Sequence, residues 1–152
     1  MKWLQLAGFL ILSVGGGFLI GSGNRPDEWY QGLVKPWFSP PDWVFAPAWT
    51  LIYVLIAVAG WRALRRVNRP ALVAWGLQLA LNFLWSPIFF SAHAVLPALL
   101  VILALLVSIL VFLARVGTRD PVAFWCFVPY AMWVSYAAAL NGLDRAAEAL
   151  GW

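Results

Sequence analysis

Four long runs without any charged residue constrain this 152-residue chain more than any other feature of its sequence. A charge at bilayer depth costs several kcal/mol, and a helix needs about 20 apolar residues to cross a bilayer. The runs cover positions 3–24, 43–61, 70–114 and 121–143. The third has 45 residues and therefore holds two helices, with the turn near Pro87, Ser91 and Pro97. The sequence predicts an all-α integral membrane bundle, one domain over 1–152, with transmembrane helices at about 3–22, 43–63, 70–90, 95–114 and 121–142.

The composition excludes two other classes of protein. Hydrophobic residues make up 64% of the chain and charged residues 11%, whereas soluble domains are about half apolar and about a quarter charged. Disordered chains are more polar still. The Lys and Arg residues form no continuous stripe, so nucleic-acid binding is not predicted despite a pI of about 9.7. Cys126 is the single cysteine, so neither an intrachain disulfide nor a metal site is predicted.

Basic residues are distributed unequally between the two ends of the predicted bundle. With an odd number of spans, the N-terminus and the second and fourth loops share one side, which holds seven of the ten Lys and Arg residues. The positive-inside rule therefore predicts a cytoplasmic N-terminus and a C-terminus on the opposite side. The charge-free runs also argue against ion-coupled transport, which normally needs ionisable groups inside the membrane.

The first loop, 23–42, is much longer than the others and is rich in proline and aromatic residues. Its prolines restrict the backbone, so we expect the loop to hold a defined shape. The aromatic side chains either lie in the interfacial belt or cover the end of the bundle as a lid over a binding site. The residue types alone leave both alternatives open.

Aromatic residues recur at helical spacing in three of the predicted spans. Such stripes are usually packing surfaces, but an asparagine at membrane depth needs a polar partner. The asparagines therefore either form interhelical hydrogen bonds or mark the polar positions of an aromatic pocket for a flat ligand. The three stripes are Phe45, Trp49 and Tyr53; Asn82, Trp85 and Phe89; and Trp133, Ala137 and Asn141.

The sequence contains no evident catalytic constellation. His93 is the single histidine and lies in a predicted turn, and no serine has a histidine and an acid as partners. Two ladders of small residues are expected to be close helix–helix contacts: Ser13, Gly17 and Gly21 form the first, and Gly76 and Ala80 form the second. Either ladder is a candidate homodimer surface.

Three stretches carry a resemblance to a known family. They are WYQGLVKPWFSPPDWVFAPAWTLIY (29–53), ALNFLWSPIFF (80–90) and VPYAMWVSYAAALN (128–141). These strings are similar to the signature stretches of the TspO/MBR family, which comprises tryptophan-rich sensory proteins, translocator proteins and peripheral-type benzodiazepine receptors. The resemblance covers the whole chain in order, with five spans, a long first loop and short remaining loops.

The resemblance implies a homodimeric membrane receptor or carrier with a pocket under the first loop. Expected ligands are porphyrins (protoporphyrin IX, haem) and isoquinoline or benzodiazepine drugs, with no cofactor required. The expected role is in tetrapyrrole regulation, transport or stress response. In bacterial members the positions of Trp49 and Trp133 are implicated in light-dependent porphyrin breakdown, so a light- and oxygen-dependent porphyrin-degrading enzyme is the alternative. Together with the aromatic stripes, the resemblance predicts as ligand-binding residues Tyr30, Pro40, Trp49, Tyr53, Asn82, Trp85, Ser86, Phe89, Trp133 and Ala137.

One departure from the family concerns sterols. Animal members carry a cholesterol-recognition pattern in which a basic residue follows a Tyr within five positions, whereas here eight residues separate Tyr136 from Arg145. The forward pattern therefore argues against sterol binding, whereas a reversed pattern formed by Arg119, Phe124 and Val128 is present. The resemblance also bears on localisation: a multi-pass protein of the bacterial cell membrane is expected, although family members occur in outer membranes as well.

Overall fold

The computed structural model describes residues 2–23, 42–92 and 94–149. The predicted lid, 23–42, lies outside the described residues apart from its two terminal positions. His93 lies outside them too.

The described residues are helical almost throughout. The first membrane helix consists of α1 (Lys2–Leu10), a π-helical turn (Ile11–Gly15) and α2 (Gly16–Gly23), which follow one another without a break. The second is α3 (Asp42–Arg65), and the third is α4 (Arg69–Ser86), which continues into another π-helical turn (Pro87–Ser91). The fourth and fifth are α5 (Val95–Val116) and α6 (Pro121–Ala149), joined by a 3-10 turn (Gly117–Arg119).

Five of these helical stretches are long and apolar enough to cross a membrane. They are Lys2–Ile20, Pro47–Arg65, Arg69–Phe89, Val95–Arg119 and Pro121–Leu143. The predicted all-α fold with five transmembrane helices is therefore confirmed, and the described part of the chain contains no strand. The last helix continues to Ala149, beyond its predicted end near 142, because Arg145, Ala146, Ala147, Glu148 and Ala149 are strong helix formers.

Aromatic rings fill the interior where α5 and α6 meet. Phe112 stacks on Phe127 with ring centroids 4.1 Å apart, and Tyr130 meets Phe127 edge-on at 5.3 Å. All three side chains are fully buried. Large apolar side chains such as Val73 and Trp125 are instead exposed on the outside, as expected of surfaces that contact lipid.

An ion pair joins α3 to α6 at the end of the bundle opposite the first loop. Arg62 donates to Asp120 Oδ1 from Nε at 3.2 Å and from Nη2 at 3.0 Å. The same oxygen accepts the backbone N–H of Ala123 at 3.3 Å, so Asp120 caps the first turn of α6. Asp120 is therefore both helix cap and counter-ion, which explains how a carboxylate is accommodated with only 4% of its surface exposed.

Candidate functional site

Aromatic side chains from α3 and α6 meet in the half of the bundle that adjoins the first loop. Trp49 and Trp133 lie edge-to-face, with ring centroids 6.2 Å apart and planes at 88°. Tyr53, one turn further along α3, stacks on Trp49 at 5.5 Å, and Tyr130 meets Trp49 edge-on at 6.4 Å. We call these four residues the aromatic cluster. Both tryptophans are half-buried, so they pack on the bundle and still present surface for a ligand.

A chain of hydrogen bonds runs beneath the aromatic cluster from α3 through α4 to α6 and back to α4. The Tyr53 hydroxyl donates to Asn82 Oδ1 at 2.6 Å, and Asn82 Nδ2 donates to the Tyr130 hydroxyl at 2.8 Å. Tyr130 in turn donates to Gln78 Oε1 at 2.7 Å. Consecutive bonds of this kind polarise one another in a medium of low dielectric constant, so the four side chains act as one polar unit that fixes the two phenol rings.

The first membrane helix holds Tyr53 from the other side. The hydroxyl of Ser13, which is fully buried, donates to the Tyr53 backbone carbonyl at 2.7 Å. The Tyr53 ring lies directly against the backbone of Gly17, where a Cβ atom would collide with it. These contacts confirm that the ladder of Ser13 and Gly17 is a helix–helix surface, and they show that α3 is its partner within the chain.

Trp85 and Phe89 form a second aromatic group, further along the third membrane helix. Their rings stack with centroids 5.1 Å apart and planes at 12°. Trp85 Nε1 donates to Asn141 Oδ1 at 3.1 Å, and Asn141 Nδ2 donates to the Val95 carbonyl at 3.1 Å. Phe89 is buried against Val95 and its neighbours at the start of α5. This group fixes the ends of α4, α5 and α6 to one another on the side of the first loop.

The sequence-predicted site residues thus divide into four sets. Trp49, Tyr53, Asn82 and Trp133 come together at the aromatic cluster and its hydrogen bonds, whereas Trp85 and Phe89 belong to the second group. Ala137 is half-buried and packs against the main core. The remaining predicted positions are not described in full: Tyr30 and Pro40 lie outside the described residues, and the side chain of Ser86 is not described.

Both asparagines make the interhelical hydrogen bonds that one of the two sequence interpretations expected. Asn82 is bonded to α3 and α6, and Asn141 is bonded to α4 and α5. The amide of Asn82 keeps capacity for a further partner, because its second N–H and second lone pair are not used by these bonds. Asn82 is buried next to the Tyr53 hydroxyl, with 4% of its surface exposed.

Sequence reasoning missed two members of this network, Gln78 and Tyr130. Gln78 is one turn before Asn82 on the same face of α4 and is fully buried, so its amide at membrane depth was the signal that could have found it. Tyr130 precedes Trp133 by one turn of α6. Gln78 Nε2 is buried and has no hydrogen-bond partner among the described residues, so the last side chain of the network keeps an unused donor group.

The arrangement offers flat apolar surface with a few fixed polar groups, which suits binding of an aromatic molecule by stacking. Within residues 2–23, 42–92 and 94–149, no three His, Cys, Asp or Glu side chains are grouped so that they could hold a metal ion. The side chains that come together here are those of tryptophan, tyrosine, asparagine and glutamine.

The fold and the aromatic cluster define a helical membrane protein with five spans and a cluster of tryptophan and tyrosine rings between its helices. A family model described as the TspO/MBR family matches residues 9–143, and the chain belongs to that family. A tryptophan-rich sensory protein of Cereibacter sphaeroides is 36% identical over 153 residues, covering 100% of this chain and 94% of the relative. A translocator protein of Sus scrofa is 36% identical over 151 residues, covering 91% of this chain and 87% of the relative. A tryptophan-rich protein TspO of Archaeoglobus fulgidus is 32% identical over 134 residues, covering 86% and 87%.

Proposed function

We propose that this chain is a membrane receptor or carrier that binds porphyrins, such as protoporphyrin IX and haem, and similar flat apolar molecules at the aromatic cluster. Its role would lie in tetrapyrrole regulation, transport or stress response. The observation that carries the proposal is the edge-to-face pair of Trp49 and Trp133, which are half-buried beside the end of the bundle where the first loop attaches. Indole rings stack on flat conjugated ligands, and the family membership supports the same ligand class.

The polar groups around the cluster are proposed to orient the ligand rather than to provide most of its affinity. A macrocycle that stacks on Trp49 gains apolar and aromatic contact, while the remaining hydrogen-bonding capacity of Asn82 is available to one polar edge. Tyr30 and Pro40 are proposed to close over the ligand from the first loop. Isoquinoline and benzodiazepine compounds are proposed to use the same stacking surfaces.

The proposal is tested by titrating protoporphyrin IX into the purified full chain and following both porphyrin absorbance and tryptophan fluorescence. The double variant Trp49→Phe/Trp133→Phe should bind about two- to tenfold more weakly, because phenylalanine keeps about half of each aromatic contact, and each full contact is worth about 0.5–1.5 kcal/mol. Its thermal unfolding should remain cooperative, since phenylalanine keeps an apolar ring at both positions.

The matched control is Trp3→Phe/Trp125→Phe, which also removes two tryptophans but from exposed positions outside the cluster. This variant should bind the porphyrin as the unmodified chain does. Equal affinity of all three proteins, measured by absorbance, would remove the assignment of the site.

A second candidate function is light- and oxygen-dependent degradation of the bound porphyrin. It is favoured by the contact between oxidisable rings: Trp49 touches Trp133, Tyr53 and Tyr130. Illumination of the porphyrin complex should then bleach the porphyrin in air but not under argon, with molecular oxygen as the oxidant. Bleaching should slow in Trp49→Phe/Trp133→Phe even when the porphyrin is saturating. Unchanged bleaching by that variant under saturation would leave binding as the only function.

Assembly and location are proposed on separate grounds. A homodimer is proposed from the family resemblance. A candidate surface for it is the pair Gly76 and Ala80, which are exposed on α4. A Cβ atom at Gly76 would have no other part of the described chain within 4 Å. Cross-linking of the chain in membranes tests this, and a monomer at all concentrations would contradict it.

The bacterial cell membrane is the proposed location, and sterols are not proposed as ligands.

A further inference from the structure

We infer that the arginine-lined groove at the end of the bundle opposite the first loop binds the head group of an anionic phospholipid. The groove has a volume of about 610 Å³ and is lined by the second loop and by the end of α5 and the turn after it. Four of its lining residues are arginines, namely Arg66, Arg69, Arg115 and Arg119. The inference is independent of the proposed porphyrin site, which lies in the other half of the bundle.

The positive charge of the groove is largely uncompensated. Asp120 is the only acidic residue between positions 43 and 143, and its Oδ1 atom is held by Arg62. Arg66 Nε lies 3.9 Å from Asp120 Oδ2 and is the closest of the groove arginines to a described carboxylate. Arg69, Arg115 and Arg119 have exposed side chains and form no ion pair with any described residue. Arginine pairs with phosphate in a bidentate geometry, so a phosphate is the natural counter-ion.

The loops that carry the arginines are held in a defined geometry. Asn68 Oδ1 accepts the backbone N–H of Ala71 at 3.2 Å, which caps α4, and Asn68 Nδ2 donates to the Arg115 carbonyl at 3.1 Å. The second loop is thereby fixed to the end of α5. Val67 has φ 53°, a left-handed conformation that is costly for a β-branched residue, and its side chain is 70% exposed. The exposed side chain of Val67 therefore places an apolar surface among the arginines of the groove, as expected where the groove contacts lipid.

The position of the groove at the end of the membrane-spanning segments favours a lipid over a soluble anion as its ligand. Arg69 begins one apolar span and Arg119 ends another, so the groove lies where head groups lie. From the groove towards the middle of the bundle, exposed apolar residues follow at i, i+4 spacing on both α4 and α5 and form two stripes. Val73 and Leu77 continue the face of Arg69 along α4, and Val111 and Val107 continue the face of Arg115 along α5; all four are exposed. A phosphate in the groove would thus place acyl chains along these stripes.

The experiment compares phosphatidylglycerol with phosphatidylcholine as single bound lipids on the delipidated full chain in detergent, measured by native mass spectrometry. The unmodified chain should bind phosphatidylglycerol more tightly. In Arg69→Gln/Arg115→Gln the preference should fall about 25-fold, because each of the two basic residues near an anionic surface contributes about fivefold. Neither substitution removes the Asn68 hydrogen bonds, since that to Arg115 uses its backbone carbonyl.

The matched control is Lys2→Gln/Arg65→Gln. It removes the same charge from the same end of the bundle, at exposed residues that do not line the groove. The control should keep the preference for phosphatidylglycerol. An equal loss in both variants would mean diffuse attraction without a site, and no preference in the unmodified chain would overturn the inference outright.

A second arm separates the lipid from a soluble phosphate. The detergent-solubilised chain is dialysed to equilibrium against radiolabelled inorganic phosphate at constant ionic strength. No saturable retention is expected, because inorganic phosphate lacks the acyl chains that the exposed stripes would hold. Saturable retention that Arg69→Gln/Arg115→Gln abolishes would overturn the lipid assignment in favour of a soluble anion.

Discussion

Tyr130 is the residue on which the polar interior depends most. Its hydroxyl accepts from Asn82 and donates to Gln78, so one oxygen atom joins the two polar positions of α4 through α6. Its ring also contacts Trp49 and Phe127. The residue therefore couples the hydrogen-bond network to the aromatic cluster, and it is fully buried.

A Tyr130→Phe variant should destabilise the chain more than Tyr53→Phe. The first substitution breaks two hydrogen bonds in the middle of the network, whereas the second breaks one at its end. Interhelical bonds in membranes average about 0.6 kcal/mol each, so the losses should be about 1 and about 0.5 kcal/mol. Thermal unfolding in one detergent measures both, and equal melting temperatures for the two variants would contradict the network.

At the scale of single residues, sequence reasoning found the tryptophans and both asparagines but not the links between them. The reason is physical: helical spacing assigns Trp49 and Tyr53 to one face, and membrane depth demands partners for Asn82. Neither argument says which helix supplies the partner. That choice depends on how α3, α4 and α6 are rotated about their axes, so Tyr130 and Gln78 could be identified only from the packed bundle.

Among the elements, the contact between the first membrane helix and α3 is the one that fixes the position of Tyr53. Gly17 allows the Tyr53 ring to rest on the backbone of α2, and Ser13 bonds the carbonyl of the same tyrosine. Gly60 does the same further along α3, where a Cβ atom would lie 2.6 Å from Trp75 Nε1. Small residues thus allow two helices to approach at the positions of large rings.

The variant Gly17→Ala should therefore displace Tyr53 and weaken porphyrin binding together with stability. Gly8→Ala is the control in the same membrane helix, because a Cβ atom at Gly8 would have no other described part of the chain within 4 Å. The control should be neutral or slightly stabilising, by up to about 1 kcal/mol, since alanine is the better helix former. Thermal unfolding and the porphyrin titration should separate the two variants, and identical behaviour would contradict the close contact.

At this scale the sequence predicted the five spans correctly, because charge-free length and hydropathy determine what a bilayer accepts. It also marked the Ser13–Gly17 ladder as a contact surface, although its partner helix could not be named. The two π-helical turns were not predicted from the sequence. A π turn differs from an α turn by a single hydrogen-bond shift, and no residue pattern in Ile11–Gly15 distinguishes it from an ordinary helix containing glycine.

For the whole molecule, basic residues are concentrated at one end, which holds seven of the ten Lys and Arg residues. The ion pair of Arg62 with Asp120, the groove arginines and Lys2 all belong to the end that carries the N-terminus. At the same end Trp3 stacks on Trp61 with centroids 5.8 Å apart, and Arg65 lies over the Trp61 ring at 5.6 Å. Tryptophan beside basic residues is typical of a membrane–water interface.

The positive-inside rule predicts that this end is cytoplasmic. In a Cys126→Ser background, single cysteines are introduced as Thr118→Cys at the arginine-rich end and as Ala146→Cys at the opposite end; both positions are exposed. A membrane-impermeant maleimide applied to intact spheroplasts should label position 146 and not 118, and lysis should make 118 reactive. Labelling of 118 alone before lysis would reverse the orientation.

The π-helical turn at Ile11–Gly15 has a consequence for how this chain tolerates insertions and deletions. Such a turn accommodates one residue more than an α turn, so the chain beyond it is rotated by about 100° relative to an unbroken α-helix. Deleting one residue within Ile11–Gly15 would give a regular α-helix and leave Gly17 on the face that contacts Tyr53, because the turn already contains the one residue that a regular helix would not need. The π-helical turn is therefore a place in the first helix where the loss of one residue preserves the contact between Gly17 and Tyr53.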